Sequence, residues 1–476
     1  MFVPIHYEVK EKTKMGFSKT RSSLTEGPIF GKMLLYVLPI VATGILQLIY
    51  NMADHMVVGQ FSGDTTALAA VGSTASLTNL IVNLFMGITA GSGVIVARNF
   101  GAKDYDTLSR AVHTSMVFAL IGGIAFSIIG IGVSAPALEL MGTKPEILDK
   151  ATLYMRIICL GVPATAVYNF GATILRSVGD SKTPLYILSA SGLVNIVLNL
   201  FFVIVCGMSV DGVALATIIS QYISAAVIVL ILNKRKDTVY ALSFKKLKID
   251  KKLLALILRY GIPAGIQSSL FSISNVMITS AVNSFDTSTV SGKTIAGNID
   301  GLLYTALNSY LHAAMTFTAQ NYGAGKPERI KKSLGSALLQ VLIVGISLSS
   351  LLLLFGREFS SLFIDARDPN KEAVINAVMD MLYVTVPLYF MCGVMETLSG
   401  TLRGLGYSLT PMLTSVGGIC VLRIIWIFTA FTLEEFHTIG GLYLCYPITW
   451  SATSLTLGII LLAIWPKIKA KLKGTT

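Results

Sequence analysis

Twelve stretches of about twenty or more mostly apolar residues follow one another along this chain. They lie near 34–60, 68–97, 111–135, 152–175, 185–208, 211–232, 255–284, 294–319, 334–356, 375–402, 411–431 and 441–465. A hydrocarbon layer about 30 Å thick takes roughly 20 helical residues to cross, and only helices and closed barrels satisfy their own backbone inside it. The sequence therefore predicts an all-α membrane protein of about 12 transmembrane helices. Composition agrees: 53% of the 476 residues are hydrophobic and 13% charged, against about a quarter charged in soluble proteins. The net charge of +12 does not point to nucleic acid, because the cations sit at the termini and between the apolar stretches. Anionic lipid headgroups meet them there.

Residues 1–33 are polar and basic and lack the apolar core of a cleaved leader, so the first stretch is expected to remain as a helix. With 1–33 cytoplasmic, the segments on that side hold 29 of the 37 Lys and Arg and the opposite side 7, while Arg423 lies deep within a helix. Both termini, including the basic tail 466–476, are thus expected in the cytoplasm of a bacterial cell whose inner membrane the chain spans. Turn signals at Gly59–Gly63, Gly207–Gly212, Pro184 and Pro411 mark breaks. The five cysteines show no CxxC spacing, and His55, His113 and His312 stand isolated, so no metal or disulfide framework is expected. No GxxxxGK[ST] motif and no nucleophilic triad are present, which argues against ATP-driven transport and against an enzyme.

The halves repeat. Tyr36 to Pro39 matches Tyr260 to Pro263, and Asn51 and Phe61 match Asn275 and Phe285 at the same offset of 224. Asn99-Phe-Gly-Ala102 matches Asn321-Tyr-Gly-Ala324, offset by 222, and Arg176 to Pro184 matches Arg403 to Pro411, offset by 227. The expected domains are a six-helix lobe over 34–232, a basic cytoplasmic linker over 233–254 and a second six-helix lobe over 255–465. An even helix number per half makes the repeats parallel, and transporters of that kind carry their pathway between the halves.

Asp54 is the most informative polar residue. A carboxylate within the bilayer costs roughly 2.5–3.5 kcal/mol on insertion scales and usually faces a cavity. Gln47, Asn51 and Asp54 share one helix face at i, i+4 and i+7. The counterpart of Asp54 in the second half is Ile278, so the fold itself needs no charge there. A position at the outer interface is the plainer alternative. Asn195 and Asn199 share a face of the fifth helix, either as site residues or as amides bonding neighbouring helices. At 1.5 Å per residue, Asp54 stands roughly 28 Å above the cytoplasmic end, and Asn195 and Asn199 roughly 16 and 22 Å. Thr217 enters roughly 9 Å below the far surface on the same measure. The four can meet in the outer half of the first lobe.

Thr217, Ser220, Gln221 and Ser224 make a polar stripe that suits packing or substrate. Pro39, Pro163, Pro263 and Pro387 fall within apolar helices and remove backbone donors there. Met86, Tyr168, Phe170, Met315, Phe317, Met391 and Met395 read either as core or as an adaptable cavity lining. Glu396 and Arg423 lie at roughly 10 and 18 Å by helix rise and lean toward each other, which predicts a buried ion pair, structural or part of a second proton-sensitive site. Asn169 holds the place of Glu396 in the first half.

The segments Ile49-Tyr-Asn-Met-Ala-Asp54-His-Met-Val-Val-Gly59, Arg98-Asn-Phe-Gly-Ala102, Leu175-Arg-Ser-Val-Gly-Asp180 and Leu402-Arg-Gly-Leu-Gly406 resemble those of the multidrug and toxic compound extrusion (MATE) family. The likeness spans roughly residues 30–465 and is closest to the DinF-like branch. It implies two six-helix lobes around a V-shaped cavity, working as a monomer. It also implies export of organic, often cationic compounds in exchange for H⁺ or Na⁺, with no other cofactor. In that branch the pattern of the cation site falls on Asp54, Asn195, Asn199 and Thr217, with Asn169 as a cavity position and Pro39 as the bend of helix 1. The second acid of the pattern is Asn199 here, so Asp54 is the only matched carboxylate and H⁺ against Na⁺ stays open. The acids that the NorM-like branch places on helix 7 are absent. Gln47, Asn51, Glu396 and Arg423 are further substrate-cavity candidates. A lipid-linked saccharide flippase shares the two-lobe plan, but it calls for a strongly cationic cavity.

Overall fold

The computed structural model describes residues 23–61, 66–364 and 369–474. Twelve helical rods follow in order: α1 Ile29–Phe61, α2 Ala67–Ala102, α3 Tyr105–Leu140, α4 Pro145–Ser177, α5 Lys182–Val205 and α6 Val210–Lys234 in the first half. The second half holds α7 Lys251–Val282, α8 Thr287–Gly323, α9 Pro327–Ser361, α10 Lys371–Gly404, α11 Leu409–Thr432 and α12 Ile439–Leu472. Most rods outrun their apolar stretches, and at α3, α7 and α8 a polar residue caps the projecting end. Asp104 accepts from Thr107 N at α3, Asp250 from Lys252 and Leu253 N at α7, and Asp286 from Ser288 N at α8. Residues 1–22 of the expected N-terminal segment, 62–65 of the Gly59–Gly63 break and 475–476 of the tail lie outside the described residues.

Eleven rods are long and apolar enough to cross a membrane by composition alone; α8 is the exception among the described residues. It carries Lys293, Asp300 and a run of Asn, Ser and Thr, and it is packed among α1, α2, α9 and α10. Protein buries Ser309, Thr316, Gln320 and Asn321 toward its linker end, whereas Ser291, Thr294 and Asn298 toward the other end are exposed. Elsewhere the outer face is apolar, with Ile128, Val205, Phe428, Leu455 and Leu462 each at least two-thirds exposed.

The duplication is visible in the backbone. Gly179 and Gly406, 227 apart, close the turns after α4 and α10 with φ of 96° and 92°, a conformation that a side chain resists. Asn99 and Asn321 each return a side-chain amide to their own helix, to Ile95 O at 2.8 Å and Phe317 O at 2.7 Å.

Where the halves meet depends on depth. Toward the linker end, cores cross between them. Leu253 and Ile257 of α7 belong to the first half's core, and Met33, Tyr36, Val37 and Ile40 of α1 to the second's. There α2 and α7 approach so closely that a Cβ on Gly87 or Gly91 would overlap the α7 backbone. At the far end each half closes on itself, around Val57, Leu138, Met155 and Val210 in one and Ile278, Ile295, Val378 and Phe431 in the other. Two lobes joined at one end and separate at the other form a V.

The linker between α6 and α7 is docked on the first lobe. Arg235 Nη1 donates to Asp180 at 2.8 Å, Ser243 N to His113 Nε2 at 3.0 Å, and Arg110 to Asp250 at 3.0 Å. Burial alone would raise the Asp180 carboxyl, but its bonds to Thr183 and Arg235 outweigh that and hold it below its ordinary range.

Candidate functional site

A cleft of about 660 Å³ opens inside the first lobe between α1, α4, α5 and α6. Gln47, Asn51 and Asp54 line it from α1, Asn169 from α4, Asn195 from α5 and Thr217 from α6. Helix α1 comes close because Gly192 on α5 leaves room for the Tyr50 ring, which any Cβ there would strike. An apolar cleft of about 440 Å³ shares its Thr165 and Gln221 walls.

Asp54 is met from two helices. Asn199, fully buried, donates its amide to Asp54 Oδ1, and Asn199 also donates to Asn195 Oδ1 at 3.4 Å. Thr217 Oγ1 lies 3.4 Å from Asp54 Oδ2, 2.9 Å from Val213 O and 3.5 Å from the Asn195 amide that donates to it. A hydroxyl has one proton. The shorter approach assigns it to Val213 O, which leaves oxygen lone pairs of Thr217 and Asp54 facing each other. Asn199 Oδ1 is buried without a partner as well. Asp54, Thr217 and Asn199 thus each present an unclaimed oxygen within this cluster, an arrangement that a proton on Asp54 or a small hard cation would complete. The four residues placed near one depth by helix rise are in fact brought together.

Pro39 is buried in α1, which continues unbroken through it, with Thr43 Oγ1 donating to Pro39 O at 2.6 Å. Pro163 and Pro263 also lie inside continuous helices, whereas Pro387 converts α10 to a 3₁₀ turn over Val386–Leu388. Phe170, Phe317, Met315 and Met395 are core residues; Tyr168 lines the cleft.

The second lobe corrects one expectation. Glu396 and Arg423 form no ion pair. Glu396 is 3% exposed and accepts from Tyr304 OH at 3.5 Å, while Arg423 Nη1 donates to Asn275 Oδ1 at 3.0 Å and its Cζ stands 4.2 Å from the Tyr446 ring centre. The short α10–α11 connection holds those rods together only beside the turn; above it α11 lies on α7 and α12. A π segment over Val416–Val421 precedes Arg423 and re-aims it. Arg423 is also not the sole deep cation: Arg403 is 6% exposed and donates to Gln267 at 2.8 Å.

Sequence reasoning missed Asp300 on α8. Its Oδ1 is buried without a partner, and Tyr304 and Asn308 continue its helix face toward Glu396. A carboxylate inside an apolar stretch was signal enough, the same signal that marks Asp54. Also unforeseen are ties across the joined end. Tyr36 OH donates to Arg176 O at 3.0 Å, Gln320 Nε2 to Ser177 O at 2.7 Å, and the Arg98 guanidinium lies over Tyr322 at 4.5 Å.

Comparison with known proteins gives the same picture. The family model described as MatE matches residues 39–201 and again 263–429, one match per lobe. The chain is 28% identical over 92% of its length to the probable multidrug resistance protein YoeA of Bacillus subtilis, of which it covers 95%. It is 25% identical over 96% of its length to the FAD transporter of Shewanella oneidensis, of which it covers 99%. A solved structure described as the outward-facing conformation of a multidrug resistance MATE family transporter of the MOP superfamily has the same fold, with a TM-score of 0.87 at 21% identity over 96% of this chain and 100% of that one. With both lobes matched in order by one family, the chain belongs to the multidrug and toxic compound extrusion family of membrane transporters.

Proposed function

We propose that this protein is a secondary antiporter of a bacterial inner membrane that exports lipophilic or cationic organic compounds in exchange for H⁺ or Na⁺ bound at Asp54. The observation that carries this reading is the pair of unclaimed lone pairs on Asp54 and Thr217 inside a membrane-depth cleft. The relatives' names support solute export, one multidrug and one FAD. Among the described residues the first-lobe cleft is lined by no Lys or Arg, whereas a lipid-linked saccharide calls for a strongly cationic cavity to hold its pyrophosphate. The cleft lies within one chain, so a monomer suffices.

Following the Lys/Arg bias, the joined end is cytoplasmic and the V opens outward. An ion entering from outside neutralises Asp54, releases the Asn199 amide and loosens the face of α1 that the substrate occupies. The ion can drive release only by its differential affinity for the two conformations. In proteoliposomes, ethidium efflux driven separately by a pH gradient and a Na⁺ gradient identifies the ion, and Asp54→Asn is expected to abolish driven efflux while leaving the fold intact. Normal pumping by Asp54→Asn under either gradient would place coupling elsewhere. A cysteine at Lys245 is expected to react only with reagents that reach the cytoplasm; ready labelling of intact cells would reverse the topology.

A further inference from the structure

Arg423 sits on α11 just beyond the π segment and is 4% exposed. Nη1 is committed to Asn275, and the guanidinium face to Tyr446. Nε is buried without an acceptor, and no carboxylate pairs with this residue among the described residues. The Nε–Nη2 edge, whose two parallel N–H groups match a carboxylate or phosphate, is therefore unclaimed by protein.

A lone buried guanidinium is costly, and the repeat shows that the fold does not require it. Before the π segment the halves match at 227, as Pro184 and Pro411 do. A π segment inserts one residue, so beyond it Arg423 corresponds to Asn195, while Asn275 corresponds to Asn51. Both counterparts line the first-lobe cleft beside Asp54. The equivalent position of the second lobe thus has a cation where the first has a neutral amide, and Ile278 where the first has its acid. Glu396 is turned to Tyr304 instead.

We propose that Arg423, oriented by Asn275 and Tyr446, receives an anionic group, carboxylate or phosphate, of the exported solute. Of two otherwise identical organic solutes, the transporter then prefers the one whose carboxylate or phosphate is free to the one in which that group is masked. This rests on the export reading above. The test uses the full chain in phosphatidylcholine nanodiscs and two fluorescent probes that differ in one group, a fluoroquinolone with its free carboxylate and its methyl ester, with ethidium as a control. Wild type is expected to bind the acid about 10-fold tighter than the ester, the scale of a charge-assisted bond. Arg423→Gln is expected to bind acid and ester alike, and Arg423→Lys to keep part of the preference. Equal wild-type affinity for acid and ester, or an undiminished preference in Arg423→Gln, overturns the inference and leaves export standing as long as ethidium is bound and pumped. If Arg423→Gln does not fold, the wild-type comparison and Arg423→Lys decide. A preference that vanishes when phosphatidylglycerol replaces phosphatidylcholine assigns the edge to lipid headgroups and also overturns it. Failure of wild type to bind any probe removes the export reading and this inference together.

Discussion

Thr217 has one hydroxyl proton and two oxygens within reach, and its choice of Val213 O makes it an acceptor toward the site. Thr217→Ser keeps that arrangement, whereas Thr217→Val replaces the lone pairs facing Asp54 with a methyl group of similar volume. Thr217→Val is expected to weaken the coupling ion by about 1–1.5 kcal/mol, roughly 10-fold, with little loss of stability. The concentration of H⁺ or Na⁺ giving half-maximal efflux measures it; an unchanged midpoint in Thr217→Val would remove Thr217 from the site. At this scale the sequence was readable where helix rise alone decides the meeting point, as for Asp54, Asn195, Asn199 and Thr217. Side-chain allegiance was not readable. Which oxygen takes the Thr217 proton, or that Arg423 turns to Asn275, depends on rotation about helix axes and on neighbours that spacing does not name.

Element α11 is where a regular helix would have given a different protein. Seven residues of α-helix, six of π and seven of α carry it from Leu409 to Phe428. The added residue shifts the side chains beyond it by about 100° relative to an unbroken helix, at 3.6 residues per turn. Arg423 consequently leaves the side of α10 and reaches α7 and α12. Glu396→Gln and Arg423→Met are therefore expected to act independently on stability, with a coupling energy within about 0.5 kcal/mol of zero in a double-mutant cycle. A coupling of several kcal/mol, read from thermal or denaturant unfolding of the purified variants, would restore the ion pair. The lengths and order of the rods were legible because apolar length sets them. The π insertion was not, since Val416 to Val421 reads as ordinary membrane helix. Nor was the polar burden of α8 interpretable without its neighbours, because only packing on four other rods lets a helix with Lys293 and Asp300 lie within the bundle.

At the scale of the whole molecule, the V shape is a statement about which bonds must break for the other face to open. The two-lobe plan follows from the repeat, but the joined end is held by side chains that the repeat does not mark. Gln320 does the most there. Fully buried on α8, it donates from Nε2 to Ser177 O at the end of α4 and accepts from Leu24 N of the stretch before α1 at 3.2 Å. Tyr36 bridges the same ends, through Arg176 O and Thr316 Oγ1 at 3.1 Å. The bonds to Ser177 O and Arg176 O run from the second half's core to the end of α4 in the first lobe, so losing one is expected to destabilise the closed form selectively. Gln320→Leu fills a similar volume but strands Ser177 O and Leu24 N, at a cost of about 1–3 kcal/mol. The closed-to-open ratio at the joined end is then expected to fall by roughly 5- to 150-fold. Spin labels at Lys182 on α5 and Lys331 on α9, both exposed and on opposite lobes, report it as a distance distribution. A longer-distance population should grow in Gln320→Leu and change in size again when Asp54→Asn, the neutral mimic of the loaded site, is added, if loading and the balance between the two faces are linked as the coupling scheme requires. A Gln320→Leu distribution identical to wild type would mean that the clasp contributes nothing to the balance between the two faces. Growth of the open population that Asp54→Asn leaves untouched would separate the clasp from the ion site, and the coupling would then have to run through a rod other than α1.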